Sequence, residues 1–419
     1  MVVYKFGGAS VKDAWGIKNL ADIASKEKEN LVIVISALGK TTNALENVLK
    51  SWMTGDESYV DLLKQTVSYH SDVLGELIPG KSDTSLQFEN EVHELTGYLE
   101  NTNPGEYDFE YDQIVSYGEI WSTIIVSGYL NTAGVPAKWV DIRKLLLTDS
   151  RHRDATIYWD ESQKSIRSEF RFKGISRYVT QGFIGATGSG KTSTLGREGS
   201  DYTAAVLANM LDADRVVVWK DVPGLLNADP KWLPGTVVLP AVSYKEAVEM
   251  TFSGAKVIHP KTIKPLHNKS IPLHVKSFLD PGAEGTIIWS EANIAPSVPV
   301  FVRKEDQIMV SILPRDFSFA IGENLSRIFM LLSEAGIKVN LVEASAVSIN
   351  ICADYDSHRF ANLVENIGGD FKVIYNKGVE MLTIRHYTPE AIESLTGDRE
   401  VLLEQRARNT VRFVVRNGS

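Results

Sequence analysis

The first thirty-five residues constrain the fold more than any other stretch of the chain. Val2–Phe6 is a short apolar run with Lys5 embedded in it, closed by Gly7-Gly8. Asp13–Lys28 then places apolar residues at Ala14, Ile17, Leu20, Ala21 and Ala24, which is a helical period. Leu31–Ile35 is an unbroken aliphatic run, the mark of a strand buried on both faces. Strand, helix and buried strand in succession form a βαβ unit, and that unit requires a parallel sheet.

The same alternation continues downstream. Residues 43–100 read as mostly helical. Ile114–Thr132 starts as a strand end or turn and becomes a helix. Ala137–Asp141, Tyr178–Ile184, Arg215–Trp219 and Ile271–Val275 read as strands, with helices over Ser200–Leu211 and Ser243–Phe252 and from Pro260. The fold class is α/β over residues 1–294. The character changes near Ala295. From Ile308 the order is strand, helix, strand, strand, helix, strand, the ferredoxin-like βαββαβ pattern, giving a second domain over 295–378. Residues 379–419 read as a third domain, a second and incomplete copy of that pattern, with a strand available for it to borrow from 295–306.

Charge and cysteine usage exclude several classes. The net charge is -9, whereas nucleic-acid binding needs a basic face, so no nucleic acid is expected as partner. No apolar stretch has the ~20 residues of a membrane helix, so no membrane association is expected. The single cysteine, Cys352, permits no intrachain disulfide and reads as a small core residue. The N-terminus shows no signal-peptide pattern, and the expected location is the cytoplasm.

One motif points to phosphate and misleads about how. Gly185–Thr192, GATGSGKT, fits the phosphate-loop pattern. That pattern needs a helix starting at its Lys-Thr. After Lys191 the chain carries three hydroxyl residues and then Gly196 and Gly199, which oppose a helix. Lys191 is therefore expected on a turn beside the site. The stronger signal is convergence. In an open parallel sheet, ligands bind beyond the carboxyl ends of the strands. Four strands here end in polar or glycine-rich turns: Lys5-Phe-Gly-Gly8, Ser36-Ala-Leu-Gly-Lys-Thr-Thr42, Lys220-Asp221, and the stretch running to Asp201.

Each residue also has a bland explanation. Lys5 could be a snorkelling lysine before an ordinary turn. Ser200 could be an N-cap and Asp201 a first-turn acid, but neither role accounts for Arg197, a cation near the same positive helix end. Glu119 could be a first-turn glutamate, Lys256 a solvated lysine and His259 a cap. The histidines and the cysteine show no metal-ligand spacing, and no nucleophile elbow is present.

Six segments in order carry a resemblance: Lys5-Phe-Gly-Gly-Ala-Ser10, Ser116-Tyr-Gly-Glu119, Gln181-Gly-Phe-Ile-Gly185, Leu195-Gly-Arg-Glu-Gly-Ser-Asp-Tyr-Thr203, Trp219-Lys-Asp-Val-Pro-Gly224 and Gly254-Ala-Lys-Val-Ile-His-Pro260. Over residues 1 to about 290 the chain closely resembles the aspartate kinases, a branch of the amino acid kinase family, and its tail resembles the paired ACT domains that follow their kinase domain. The resemblance implies a three-layer αβα sandwich with a mainly parallel sheet, followed by ferredoxin-like ACT modules. It implies ATP-dependent phosphorylation of the side-chain carboxylate of L-aspartate (EC 2.7.2.4), the first step toward lysine, threonine and methionine, with Mg2+ carried by ATP. Lys5 and Asp201 would be catalytic. Ser36, Thr42, Glu119, Arg197 and Ser200 would hold aspartate, with Glu119 on the α-ammonium and Arg197 on the α-carboxylate. Lys5, Phe6, Gly7, Gly8, Lys220, Asp221, Lys231, Lys256 and Val257 would line the nucleotide. The ACT modules would take an amino-acid effector at the interface of a homodimer or higher homo-oligomer.

The chain departs from the family pattern at Lys220, Leu226 and Lys231, where Thr, Tyr and Arg are usual, and at Ala9. Glu323, Lys338 and Asn340 differ from lysine-inhibited members. The alternatives are another family member acting on glutamate or acetylglutamate, and a P-loop ATPase.

Overall fold

A computed structural model describes residues 1–255, 258–290, 296–316, 318–367 and 369–417. The chain divides into two compact units. The first comprises Met1–Leu225, Val238–Val248 and Ile258–Asn293; the second comprises Leu226–Val237, Glu249–Val257 and Ile294–Ser419.

The first unit opens with the expected βαβ: β1 (Val2–Phe6), α1 (Ala14–Lys26) and β2 (Leu31–Ile35). Asp13 caps α1 by accepting from Gly16 N–H at 2.8 Å. Five helices follow: α2 (Thr41–Met53), α3 (Ser58–Leu77), α4 (Asp83–Asn101), α5 (Tyr107–Val115) and α6 (Tyr117–Thr132). Ile114 thus lies in a helix, not in a strand end. The first turn of α5 carries Asp108 and Glu110, which suit a helix N-terminus, and Glu110 also accepts from Gly105 N–H at 2.8 Å.

The chain continues through β3 (Lys138–Val140), β4 (Leu147–Thr148), α7 (Trp159–Glu169), β5 (Arg177–Gln181), β6 (Ile184–Thr187), β7 (Thr192–Thr194), α8 (Gly199–Met210) and β8 (Arg215–Lys220). It closes with β9 (Ala241–Ser243), α9 (Tyr244–Ser253), α10 (Pro260–Asn268), β10 (Leu273–Ser277) and β11 (Thr286–Trp289). The main sheet has the order β3-β5-β2-β1-β8-β10-β11-β9. The pairs from β3 to β10 are parallel, and the β10–β11 pair is antiparallel. The five residues of β1 and of β2 are fully buried or nearly so, as expected of strands covered on both faces.

The strand expected over Tyr178–Ile184 is two strands in two sheets. β5 stops at Gln181, and Phe183, at φ 70°, turns the chain into the small sheet β4-β6-β7. Packing explains the break. A Cβ on Gly182 would lie 2.5 Å from Ser200 Cβ, so the chain passes directly beneath the start of α8 there.

The second unit holds an antiparallel six-stranded sheet, order β13-β14-β12-β15-β17-β16. Its elements are β12 (Val300–Pro314), α11 (Glu323–Glu334), β13 (Val339–Ala344), β14 (Ile349–Asp354), α12 (Ser357–Ile367), β15 (Phe371–Arg385), α13 (Pro389–Thr396), β16 (Arg399–Arg406) and β17 (Thr410–Asn417). The part from Ile308 to Tyr375 follows the βαββαβ order read from the sequence, with β12 between β14 and β15. The long strands β12 and β15 each run through both halves of the sheet. Val300–Lys304 pairs with Met381–Arg385, and a bulge near Gln307 separates that stretch from the pairing farther on. Cys352 is buried, and burial pushes its thiol up to about 12, so it is an inert core residue.

Candidate active site

The four strands that end in polar turns are neighbours in the sheet. Phe6 pairs with Ile35 on one side and Trp219 on the other, and Ile35 pairs with Gln181. Their carboxyl ends therefore lie level along one edge, where an open parallel sheet binds ligands. A cavity of about 640 Å³ opens there.

Lys5, Gly7 and Gly8 line it from β1, Ser36 and Thr42 from the turn after β2, and Glu119 from α6. Arg197, Ser200 and Asp201 line it from the start of α8, and Lys220 and Asp221 from the end of β8. Gly8 is set by close approach: a Cβ there would lie 2.6 Å from the Ala37 carbonyl oxygen. The two turns are tied by Gly39 N–H donating to the Gly8 carbonyl at 3.0 Å.

At the centre is a buried ion pair. Lys5 Nζ lies 2.6 Å from Asp201 Oδ1, and Lys220 Nζ lies 3.8 Å from Asp201 Oδ2. At 2.6 Å the Lys5–Asp201 contact is a close, charge-assisted pair. Burial pushes the Asp201 carboxyl up, but the Lys5 and Lys220 ammonium charges outweigh it and hold the group below its ordinary value. Two cations around one anion leave a net positive charge beside two glycines whose amides are open to approach. That combination suits a phosphate chain.

Glu119 has the opposite character. It is buried in the first turn of α6, and Oε1 accepts from Ala37 N–H at 3.4 Å. Oε2 is buried with no hydrogen-bond partner. Burial drives its carboxyl up to about 8. A buried, half-satisfied carboxylate is costly, and an incoming ammonium would complete it.

Several expectations need adjusting. Ser200 is not the N-cap of α8. The cap position is Glu198, in the left-handed region at φ 53° with no side-chain cap bond, so Ser200 is free to line the cavity. Arg197 is exposed just ahead of the helix. The Phe6 side chain does not line the cavity. It is fully buried, stacked on Trp219 with ring centres 6.0 Å apart, because alternate residues of a strand face opposite ways. Lys231 belongs to the second unit, where its N–H donates to Asp229 at 2.9 Å. Lys256 and Val257 lie outside the described residues. His259 caps α10 by accepting from Lys261 N–H.

No helix starts at Lys191, where β7 follows instead. Lys191 ends the turn between β6 and β7, and its backbone N–H donates to Thr187 Oγ1 at 3.2 Å. Sequence reasoning did not single out Tyr111, Arg153, Phe183 and Trp219, which also line the cavity. Phe183 and Trp219 sit inside motifs quoted above. Tyr111 and Arg153 lie in stretches without a usable pattern. Among the described residues, no group of three or more His, Cys, Asp or Glu side chains could hold a metal ion.

Known proteins resemble this chain over most of its length. The model for the amino acid kinase family matches residues 1–277. Lysine-sensitive aspartokinase 3 of Escherichia coli is 30% identical over 359 residues, covering 84% of this chain and 78% of that protein. A bifunctional aspartokinase/homoserine dehydrogenase of Zea mays is 27% identical over 84% of this chain, which spans only 39% of that longer protein. The solved structure of E. coli aspartokinase III in complex with lysine and aspartate superposes with a TM-score of 0.83 at 27% identity, covering 99% of this chain and 96% of the other. With a parallel sheet whose strand ends converge on a lysine–aspartate centre, and relatives of this kind over most of its length, the chain belongs to the amino acid kinase family, among its aspartokinases.

Proposed function

We propose that the protein is an aspartate kinase, transferring the γ-phosphoryl group of ATP to the side-chain carboxylate of L-aspartate to give 4-phospho-L-aspartate and ADP. One observation carries the reading. The same cavity holds a cationic centre built on Lys5, Asp201 and Lys220 and, from α6, a buried glutamate with an unpartnered oxygen. The first suits phosphates and the second an amino acid's ammonium. An E. coli aspartokinase III structure contains aspartate and ADP, the ligand pair this arrangement fits.

The acceptor carboxylate has an ordinary pKa of about 3.9 and is ionised at neutral pH. No general base is needed. A carboxylate oxygen attacks the γ-phosphorus, the bond to the bridging oxygen breaks, and ADP leaves with that electron pair. Catalysis is then positioning and charge neutralisation. Glu119 would fix the α-ammonium, and Arg197, a planar fork, the α-carboxylate. Ser36, Thr42 and Ser200 supply hydroxyls around the acceptor. Lys5 and Lys220 would face the transferring group, and Asp201 holds the two ammonium groups in place. Gly7, Gly8 and Asp221 would lie along the nucleotide. Magnesium, carried by the phosphates of ATP, would add further positive charge there.

A coupled assay of ADP release with aspartate, glutamate and acetylglutamate as acceptors tests the reading. Aspartate should be the preferred acceptor. Lys5→Ala should lower kcat at least ~100-fold, the scale of losing one charge stabiliser, while Lys191→Ala stays near wild type. No ADP release with aspartate would end the proposal. Dominant glutamate or acetylglutamate turnover would favour the sister activity.

The second unit we read as regulatory, in a cytoplasmic homodimer or higher homo-oligomer. Aspartokinase III binds lysine as well as aspartate. Adding lysine, threonine and methionine to the assay, singly and paired, should reveal an inhibitor; no effect from any of them would refute feedback control.

A further inference from the structure

Arg153 lines the same cavity as Glu119 and Arg197, yet none of the roles above uses it. Its backbone is left-handed, at φ 67°, a region uncommon for any residue with a long side chain. The surrounding structure holds it there. Arg153 N–H points at the Asp112 carboxylate, 3.2 Å from each oxygen. Asp112 is itself fully buried, meets His152 Nδ1 at 2.7 Å, and accepts from Thr194 N–H at 3.0 Å and Thr194 Oγ1 at 2.6 Å. One carboxylate thus ties α5, the loop before α7 and β7 together around this residue.

The guanidinium, itself half-exposed, has contacts of its own. It lies 4.7 Å from the Tyr111 ring centre and 5.4 Å from that of Tyr107. Its Nη1 donates to Asp108 Oδ1 at 3.1 Å. An arginine offers five donors in a planar fork, and among the described residues Asp108 is the one carboxylate on it. The Tyr111 phenol is within electrostatic reach of both Arg153 and Glu119, which puts Arg153 toward the Glu119 end of the cavity.

We infer that Arg153 is a specificity-determining residue at the acceptor end, a second guanidinium beside Arg197 that recognises a carboxylate of the amino-acid substrate. The assignment rests on the kinase reading above. One anionic group for the ammonium and two guanidinium groups for carboxylates match the charges of an amino dicarboxylic acid. Backbone strain at a ligand-facing residue is a frequent sign of such a role.

The test is steady-state kinetics of Arg153→Gly, Arg153→Lys and Asp108→Asn beside wild type, with thermal melting of each. Glycine suits the left-handed backbone, so R153G should stay folded. Its KM for aspartate should rise about 10-fold, the low end for a lost charge-assisted contact at a partly exposed group, with kcat within about 2-fold and the KM for ATP unchanged. R153K should fall between R153G and wild type, because it keeps the charge and loses the fork. D108N, which frees the guanidinium, should give a smaller rise. An aspartate KM equal to wild type in R153G overturns the assignment, as does an equal rise in the KM for ATP. If R153G does not fold, an R153K enzyme with wild-type aspartate KM overturns it as well. Wild-type enzyme that releases no ADP from aspartate refutes the functional reading and takes this assignment with it; failure in the variants alone refutes only the assignment.

Discussion

Glu119 is the residue whose chemistry is most exposed to a simple experiment. Burial raises its carboxyl to about 8, with the Ala37 N–H and the Lys5 charge pulling only weakly the other way. In the free enzyme at neutral pH the group is therefore mostly protonated. A substrate ammonium needs the carboxylate, so binding must expel that proton. The sign follows. Between pH 6 and 8 the KM for aspartate should fall as pH rises, by up to about tenfold per unit, and level off above 8. Glu119→Gln should bind more weakly and lose the slope. Aspartate KM measured at saturating ATP across that range decides it, and a flat profile in wild type would discard the assignment. The same shift affects stability. A pKa raised in the fold gives a contribution fully present below about 4.5 and lost as pH rises through about 8, so aspartate should protect the enzyme most on the alkaline side. Glu119 could be singled out in the sequence only through its motif, since a first-turn glutamate is ordinary. Arg153 could not be found at all, because a non-glycine residue in the left-handed region of an irregular loop leaves no pattern.

Elements were more legible than residues, for a physical reason. Hydrophobic period survives in the sequence wherever a strand is buried on both faces or a helix on one, so β1, α1 and β2 could be read directly. What failed was local redirection. The break between β5 and β6 is set by contact with α8, residues that lie far along the chain, and the helical character of Ile114 depends on an acidic first turn instead of an apolar period. The P-loop match shows the same limit: a short pattern names its residues, but only the element after Lys191, a strand, decides the chemistry. Gly182 makes the point testable. Any side chain there must displace Ser200, whose Cα is 2.7 Å and Oγ 2.7 Å from the would-be Cβ. Gly182→Ala should cost about 1–3 kcal/mol of stability, as overpacking does. It should also shift the first turn of α8, where Ser200 and Asp201 face the cavity, so kcat should drop more than the melting midpoint suggests. Melting and kcat measured on one preparation test this. A variant with wild-type kcat and midpoint would show that α8 is not seated as described.

At the scale of the molecule, the two units are not consecutive along the chain. Leu226–Val237 leaves the first unit in mid-sequence and joins the second, and the chain then returns. Within the second unit this segment is well anchored. Asn227 Nδ2 donates to the Pro299 carbonyl at 3.1 Å, and Phe301 N–H donates to the Asn227 carbonyl at 2.7 Å. Trp232 and Leu233 pack on the core formed by Leu382, Ile384 and Phe413. A boundary drawn at 294 from the change in element order misses this crossing, because a short excursion leaves that order unchanged. The consequence is that the first 293 residues should not behave as an independent enzyme. Cutting there strands Trp232 and Leu233 without their core, at roughly 1.5 kcal/mol of lost burial for each. It also removes the Pro299 carbonyl to which Asn227 Nδ2 donates and the Phe301 N–H that the Asn227 carbonyl accepts. The fragment should melt lower than the full chain, bind an apolar dye, and be cut by protease within 226–237. Replacing Trp232 and Leu233 with serine in the fragment should reduce dye binding without restoring the melting point, since the missing anchors are the cause. A fragment that melts with the full chain and resists cleavage in that segment would show that the excursion contributes nothing to the first unit, and that the two units are independent in stability despite their interleaved sequence.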